Sequence, residues 1–323
     1  MPTLPEIISN TESREYAVVR LSKDNLKDVA KLHSEVYGTA VADDYFPGKY
    51  DTAYTGVENV GFVAYNKDNQ VVAYYGVIPC FIQFGNEIIL SAQSADTMTH
   101  PKYRYKGMFV ELSNITFDLC RKLGIRLVFG FPNQNSYHGA VNKLGWKMTE
   151  TMVCFTIPIK SLALESLSRK VRVFQKLYKR YSHFILKKNL LPLQGVANSV
   201  LADGFAGIRR SDDYLNYKTY SRTRVMSLAG SKVWFSNKHG LHIGDMEAVS
   251  QTNFSAMINK LKKIAMKLGV KQIQFHCSPG TSLYQLFSVN YKSTPSYPML
   301  FQDFGSAIPP EKIRFTFADI DIF

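Results

Sequence analysis

The chain has 323 residues, of which 46% are hydrophobic, 13% aromatic and 20% charged, a composition that excludes a disordered or fibrous protein and is long enough for two folded domains. Its 39 Lys and Arg outnumber its 26 Asp and Glu, for a formal charge of +13. Such a charge favours an anionic partner, whether nucleotide phosphate, phosphosugar, nucleic acid or acidic lipid, without choosing among them.

Residues 16–21 alternate as a strand, and residues 24–37 place Leu26, Val29, Ala30, Leu32, His33 and Val36 near helical spacing. An irregular aromatic stretch over 43–54 follows. Residues 60–65 and 71–84 read as strands joined by Asn66-Lys67-Asp68-Asn69, and a second turn, Gly85-Asn86-Glu87, leads into a strand over 88–99. The period then changes. Residues 107–123 carry Met108, Leu112, Ile115, Leu119 and Leu123 on one stripe, with Gly124 as the stop. A buried strand over 125–131, a short helix over 136–144 closed by Gly145, and a strand over 146–159 complete the first half. Residues 158–193 contain a basic, aromatic-studded helix ended by Pro192. The second half is expected to hold a helix over 212–220, strands over 232–236 and 241–249 flanking Asn237-Lys238-His239-Gly240, a helix over 252–268, a strand over 270–277, a short helix over 282–288 and a strand over 299–304.

The two halves share an order of elements, and Lys122-Leu123-Gly124-Ile125-Arg126 is matched by Lys267-Leu268-Gly269-Val270-Lys271. Helix, strand, short helix, strand in both halves suggests duplication of one fold.

The segment Pro101-Lys102-Tyr103-Arg104-Tyr105-Lys106-Gly107-Met108 stands between a strand and an amphipathic helix. There the amides of the helix start are unpaired and the helix dipole is positive, so the turn suits a pyrophosphate. Gly107 lets backbone approach phosphate, and Arg104 and Lys106 add charge; the bland reading of the same residues is a basic turn capping a helix. With the strand ending Thr99-His100-Pro101, the Pro132-Asn133 pair and the closing Lys143-Leu144-Gly145-Trp146, this order resembles the GNAT superfamily of acyl-coenzyme A N-acyltransferases over roughly residues 14–158. Arg104 and Gly107 fit the family's signature of Arg or Gln, two residues, Gly, one residue, then Gly or Ala, whereas Phe109 stands at its last position.

The resemblance implies acetyl-coenzyme A as acyl donor, no metal, and direct attack of an amine on the thioester. It implies coenzyme contacts at Met98, Thr99, Arg104, Tyr105, Lys106, Gly107, Met108 and Phe109, and at Asn133 and Asn135 at the mouth of the site. Asp96, on the strand leading into the site, is the candidate base, or an acid that bonds a substrate hydroxyl. The family's thiolate acid falls on Val141, and Tyr137 is one helical turn earlier, as candidate acid or as a packing residue. His100 and His138 read as structural. No Ser-His-Asp or Cys-His order stands out, and a thioester needs no acyl-enzyme.

The corresponding second-half turn, Ala248-Val249-Ser250-Gln251-Thr252-Asn253, has neither Gly nor a basic residue, and is not expected to bind coenzyme A. The expected fold class is α/β (α+β): tandem GNAT-like domains, each a mixed, mostly antiparallel sheet flanked by helices. Their expected division is 1–158 (acyl-coenzyme A binding), 159–193 (basic helical linker) and 194–323 (a degenerate copy). Such pairing resembles the Fem peptidyltransferases and some envelope-polysaccharide acyltransferases, and residues 314–323 resemble the tail of acetyltransferases found with capsule and surface-glycan enzymes. The implied acceptor is an amine on an amino sugar or a cell-envelope glycan precursor. A Fem-like aminoacyl transferase and a non-catalytic GNAT that binds a ligand or partner are the alternatives.

Residues 166–190 hold eight Lys and Arg and no acid. The helix over 169–188 is read either as a solvated linker or as an interfacial anchor for peripheral contact with membrane or lipid-linked substrate; no nucleic-acid motif accompanies it. The opening residues lack the n-region, apolar core and cleavage site of a secretory signal, so a cytoplasmic location is expected. Cys80, Cys120, Cys154 and Cys277 lack metal-ligand spacing and are expected as reduced core residues.

Overall fold

The computed structural model describes residues 7–9 and 15–323 other than His239 and Ala248. Parts of the expected turns at Asn237 to Gly240 and Ala248 to Asn253 therefore lie outside the described residues, as do the side chains of Arg169, Lys170 and Arg172. The chain divides into two units, Met1–Thr149 with Pro298–Glu311, and Glu150–Tyr297 with Lys312–Phe323. This differs from a division at 158 and 193 because a strand returns from far along the chain to the first unit. Residues 159–193 are no separate linker either, since Leu186 is in the second unit's core and Tyr178 donates to the Leu268 carbonyl at 2.9 Å.

In the first unit the order is β1 (Ile7–Ser9), β2 (Tyr16–Arg20), α1 (Leu26–Tyr37), α2 (Tyr45–Tyr50), β3 (Val60–Asn66), β4 (Val71–Phe84), β5 (Glu87–Thr99), α3 (Met108–Lys122), β6 (Leu127–Gly130), α4 (Gln134–Leu144) and the start of β7 (Lys147–Pro158). Strands β1 to β5 form an antiparallel meander. The β3–β4 turn closes because Asn66 Oδ1 accepts from the amides of Asp68 and Gln70 while Asn69 takes φ +57°. The α3 crossover makes β6 parallel to β5, and Leu300 to Asp303 pair antiparallel with β6 on its other side. Met108, Leu112, Phe117 and Cys120 form the inner stripe of α3 and pack on the meander's Tyr75, Val77 and Ala92.

Helix α2 lies within the stretch expected to be irregular. Pro47 is tolerated because it falls in the first turn, whose amides need no helical partner, and Phe46, Lys49 and Tyr50 share the buried face.

The second unit continues with the rest of β7, then α5 (Leu164–Lys170), α6 (Arg172–Lys187), β8 (Leu190–Leu191), α7 (Ser199–Ala202), β9 (Gly207–Ile208), α8 (Asp212–Tyr217), β10 (Arg224–Leu228), β11 (Ser231–Ser236), β12 (Leu241–Glu247), α9 (Gln251–Leu268), β13 (Gln272–Cys277), α10 (Ser282–Ser288) and β14 (Ser293–Asp303), whose later residues are those that pair with β6. The expected basic helix is two helices, broken at Val171, which is extended. Strands β8, β10, β11 and β12 are antiparallel neighbours, β13 is parallel to β12, and β7 is antiparallel to β13. The core centres on Phe287, whose ring meets Phe275, Phe254 and Phe155 at 4.8, 5.0 and 5.4 Å. Meander, long helix, parallel strand and short helix thus occur twice.

Beyond Ile243 and Phe275 the strands β12 and β13 part. Residues 312–323 enter there: Thr316 bridges Cys277, Ser278 N–H donates to the Phe315 carbonyl at 2.9 Å, and the Phe323 ring lies against Gly244 so closely that a Cβ there would overlap it. Arg210, 1% exposed, ties this segment to β12. Its guanidinium meets Asp245 at 2.6 Å and Asp319 at 2.8 Å, both carboxylates having no exposure.

Candidate active site

Strands β5 and β6 pair only from Ser91 and Leu127 to Ser94 and Gly130. There β6 ends, while β5 runs on along β4 to Thr99, so the two strands part beside the second half of β5. A bulge sits at the same place. Gly76 pairs with Ala95 and Tyr74 with Met98, leaving Asp96 and Thr97 opposite the single residue Tyr75, with Asp96 at φ +51°. A bulge breaks the regular pairing and re-aims the side chain and amides of the strand.

The Asp96 carboxylate is 12% exposed and is held through one oxygen. Oδ2 meets the Lys49 ammonium at 2.6 Å and accepts the Tyr50 hydroxyl at 2.9 Å. Lys49 is fully buried, with its ammonium 5.4 Å from the Tyr45 ring centre. Tyr50 stacks on Phe46 and meets Tyr74 edge to face at 6.0 Å. Burial, and then the charge of Asp96, push the Tyr50 hydroxyl well above the usual phenol range, and burial does the same to Tyr74. Both phenols therefore stay protonated at neutral pH, and Tyr50 donates to Asp96.

After Thr99 the chain makes a 3-10 turn over Pro101–Tyr103, capped by His100 Nδ1 accepting the Lys102 amide at 3.3 Å. Tyr105 (φ +66°) and Gly107 (φ +82°) then reverse it into α3. The Val110 and Glu111 amides donate to the Gly107 carbonyl, so those of Gly107, Met108 and Phe109 precede the helical ladder and face the positive end of the dipole. Arg104, Tyr105, Lys106 and Gly107 are exposed. The Lys106 ammonium pairs with Glu15, whose carboxyl it holds below the usual range, and lies 5.3 Å from the Tyr103 ring centre. An exposed pair is weak, so it yields readily to a phosphate. Phe109, at the family's Gly or Ala position, turns inward: its ring meets Tyr75 at 6.2 Å and lies where a Cβ on Gly139 would clash. Gly139 on α4 thus makes room for Phe109, leaving the turn to the backbone.

Met98 is buried and Thr99 half-buried on the stretch of β5 past the bulge. Asn133 caps α4, its Oδ1 accepting the amides of Asn135 and Ser136 at 2.9 and 3.1 Å, and Asn135 is exposed in the first turn. The Tyr137 hydroxyl donates to Met148 Sδ at 3.3 Å. The structure brings Asp96 together with Lys49 and Tyr50, while Met98 and Thr99 follow on β5, paired with Tyr74 and Ala73. Lys49 and Tyr50 escape sequence reasoning because Pro47-Gly48 beside them signals a turn; a lysine between Phe46 and Tyr50 at helical spacing was the available signal. Among the described residues no group of His, Cys, Asp or Glu could hold a metal ion. In the second unit the start of α9 is closed on itself, since Ser250 Oγ accepts the Asn253 amide and Asn253 Oδ1 accepts the Ser250 amide.

A parallel strand pair that parts beside a bulge, next to a glycine turn entering a helix, sits within a mixed α/β fold. Residues 17–149 match the family model described as Acetyltransferase (GNAT) domain. No curated protein matches the chain in sequence. Among solved structures, a conserved protein of unknown function from Enterococcus faecalis V583, described as a probable N-acyltransferase, is similar over 90% of this chain and 73% of its own, at 12% identity and TM-score 0.59. A putative acetyltransferase from Pyrococcus horikoshii is similar over 96% and 95%, at 10% identity and TM-score 0.56, and a GCN5-related N-acetyltransferase from Kribbella flavida over 91% and 72%, at 11% and 0.53. The mixed α/β fold therefore follows that of tandem GNAT-like structures over most of the chain.

Proposed function

We propose that the first unit takes acyl-coenzyme A, acetyl in the simplest case, between the parted strands β5 and β6 and transfers the acyl group to an amine. The observation that carries this reading is the coincidence, within one strand–turn–helix, of parted strands, a bulge and unpaired amides. Arg104 and Lys106, with the amides of Gly107, Met108 and Phe109, would hold the pyrophosphate; Met98 and Thr99 would offer main-chain groups to the pantetheine arm, with Tyr105, Asn133 and Asn135 at the mouth. A main-chain N–H at the bulge would stabilise the charge that develops on the thioester oxygen. Asp96 would accept a hydrogen from the incoming amine with Oδ1, while Lys49 and Tyr50 fix its other oxygen. Tyr137, whose present acceptor is a weak thioether sulfur, would return a proton to the departing sulfur.

Acetyl-coenzyme A is expected to raise the melting temperature of the native protein, and Arg104→Ala to weaken its affinity about tenfold through loss of a charge-assisted contact. No stabilisation at millimolar acetyl-coenzyme A sinks the reading in favour of a non-catalytic protein. Tyr137→Phe is expected to lower kcat at unchanged coenzyme affinity, by about 100-fold if it is the acid; an unchanged kcat removes it from the mechanism.

The acceptor we propose is an amine on an amino sugar or cell-envelope glycan precursor, supported by the likeness of residues 314–323 to surface-glycan-associated acetyltransferases. Mass spectrometry of a panel of amino-sugar nucleotides tests it, and acetylation of protein lysines alone refutes it. An aminoacyl transfer reading has less support, because a donor carried on RNA does not call for the phosphate turn.

A further inference from the structure

We infer that the α5–α6 hairpin is a docking surface for an anionic lipid bilayer. Helix α6 carries three stripes. Ser182 and Leu186 are buried, and Tyr178 and Ile185 half-buried, against the second unit, where Leu186 joins the core and the hydroxyls of Tyr178 and Tyr181 donate to the carbonyls of Leu268 and Lys267. Beside this lies an outward apolar stripe: Val173 is 70% exposed, Phe184 64%, Leu177 54% and Phe174 50%, and at 3.6 residues per turn they fall within about 100° of one another. Leu162 and Leu167, before and on α5, add to the apolar surface at 77% and 50% exposure.

The third stripe is cationic. Lys176, Arg180 and Lys187 are exposed along the other edge of the apolar one, and among the described residues no carboxylate pairs with them. The Lys187 ammonium lies over the Phe184 ring, 5.2 Å from its centre, which joins the cationic stripe to the apolar one. An isolated exposed Leu or Phe needs no explanation, but a run of them on adjacent helices does. The occupant follows from charge. An unbroken cationic edge without an acid within residues 166–190 complements a surface of uniform negative charge, whereas a second copy of this chain, at a net +13, would be repelled. No helix of the described residues is long and apolar enough to cross a membrane, so the contact is with the bilayer face: the Phe and Leu side chains enter the headgroup boundary while the cations meet lipid phosphates or carboxylates. This surface stands independently of the acyl-transfer reading.

Sedimentation with vesicles tests it, using the full chain at low salt. The protein is expected to pellet with phosphatidylcholine vesicles containing phosphatidylserine and to stay in solution with phosphatidylcholine alone. Lys176→Glu and Arg180→Glu should each weaken partitioning by at least about fivefold, the worth of one cation at an anionic surface. Phe174→Ser with Phe184→Ser should weaken it further while leaving the melting temperature unchanged. In a Phe184→Trp protein, emission should shift to the blue and be quenched by brominated lipid. Failure to pellet with anionic vesicles overturns the inference, as does pelleting unaffected by the Phe174→Ser, Phe184→Ser pair. A dimer in light scattering that this pair dissolves, with no vesicle binding, overturns it in favour of a protein interface.

Discussion

Arg210→Met is expected to destabilise the second unit by about 3–5 kcal/mol, the cost of stripping one partner from a buried ion pair. The guanidinium sits between two carboxylates that have no contact with solvent, donating to Asp245 Oδ2 at 2.6 Å and Asp319 Oδ1 at 2.8 Å, and to Thr316 Oγ1 at 3.0 Å. Its face lies 5.3 Å from the Trp234 ring. Methionine fills much of the volume but leaves both carboxylates uncompensated. Burial already pushes the Asp245 carboxyl up with Arg210 opposing it, and loss of the arginine removes the main opposing influence. The variant would thus fold with a proton on a carboxyl that the unfolded chain releases at ordinary pH. A raised folded pKa gives stability that is present below the unfolded value and lost as pH rises through the folded one. The deficit against the parent should accordingly be smallest near pH ~4 and grow toward neutrality. Denaturant melts across that range check it. Adding Asp245→Asn and Asp319→Asn to Arg210→Met should recover most of the loss at pH ~7; a single variant costing under about 1 kcal/mol would show that the three groups do not form one charged network.

Lys49→Met is expected to lower kcat/KM for acyl transfer by about 100-fold, the scale of a misplaced or mis-solvated catalytic group. Asp96 sits on a bulge at φ +51°, and the ion pair to Lys49 holds its carboxylate at 12% exposure. Without the lysine the carboxylate must find water or a proton, and either moves Oδ1 from its place. The double variant Lys49→Met, Asp96→Asn should regain thermal stability, since no charge is left stranded, and yet stay slow. Recovery of turnover along with stability would mean that the pair only supports the fold. Full activity in Lys49→Met would place the amine-binding group elsewhere. Coenzyme affinity, measured in parallel, should change little, because the contacts proposed for the coenzyme, at Arg104 and the α3 amides, do not include Lys49.

The elements that carry their own local signal were legible. Helix α3 announces itself by a stripe ending at Gly124, and the Arg104-to-Gly107 turn by its place between a strand and that stripe. Features made by distant partners were not. The bulge at Asp96 has no signature, since φ is positive there at a residue other than glycine and the cause is pairing with β4. Lys49 reads as an ordinary surface cation until α2 turns it inward. The return of Pro298 to Asp303 to pair with β6 joins residues about 170 apart in the chain, beyond the reach of any local pattern. The capping of α4 by Asn133 emerges only with the amides from which its side chain accepts.

The segment at 312–323 bears on ligand linkage. Strands that part leave a void in the core, and a protein that holds a dissociable guest there gains or loses stability with the guest's concentration. In the second unit the void is filled by the chain's own Phe315, Thr316 and Phe323, a guest that is covalently tethered and so never diluted. Its contribution is built into folding and does not vary with metabolite supply. On the proposed reading, acyl-coenzyme A is then expected to shift the melting of the first unit, while the tethered segment's share of the second unit's stability stays fixed.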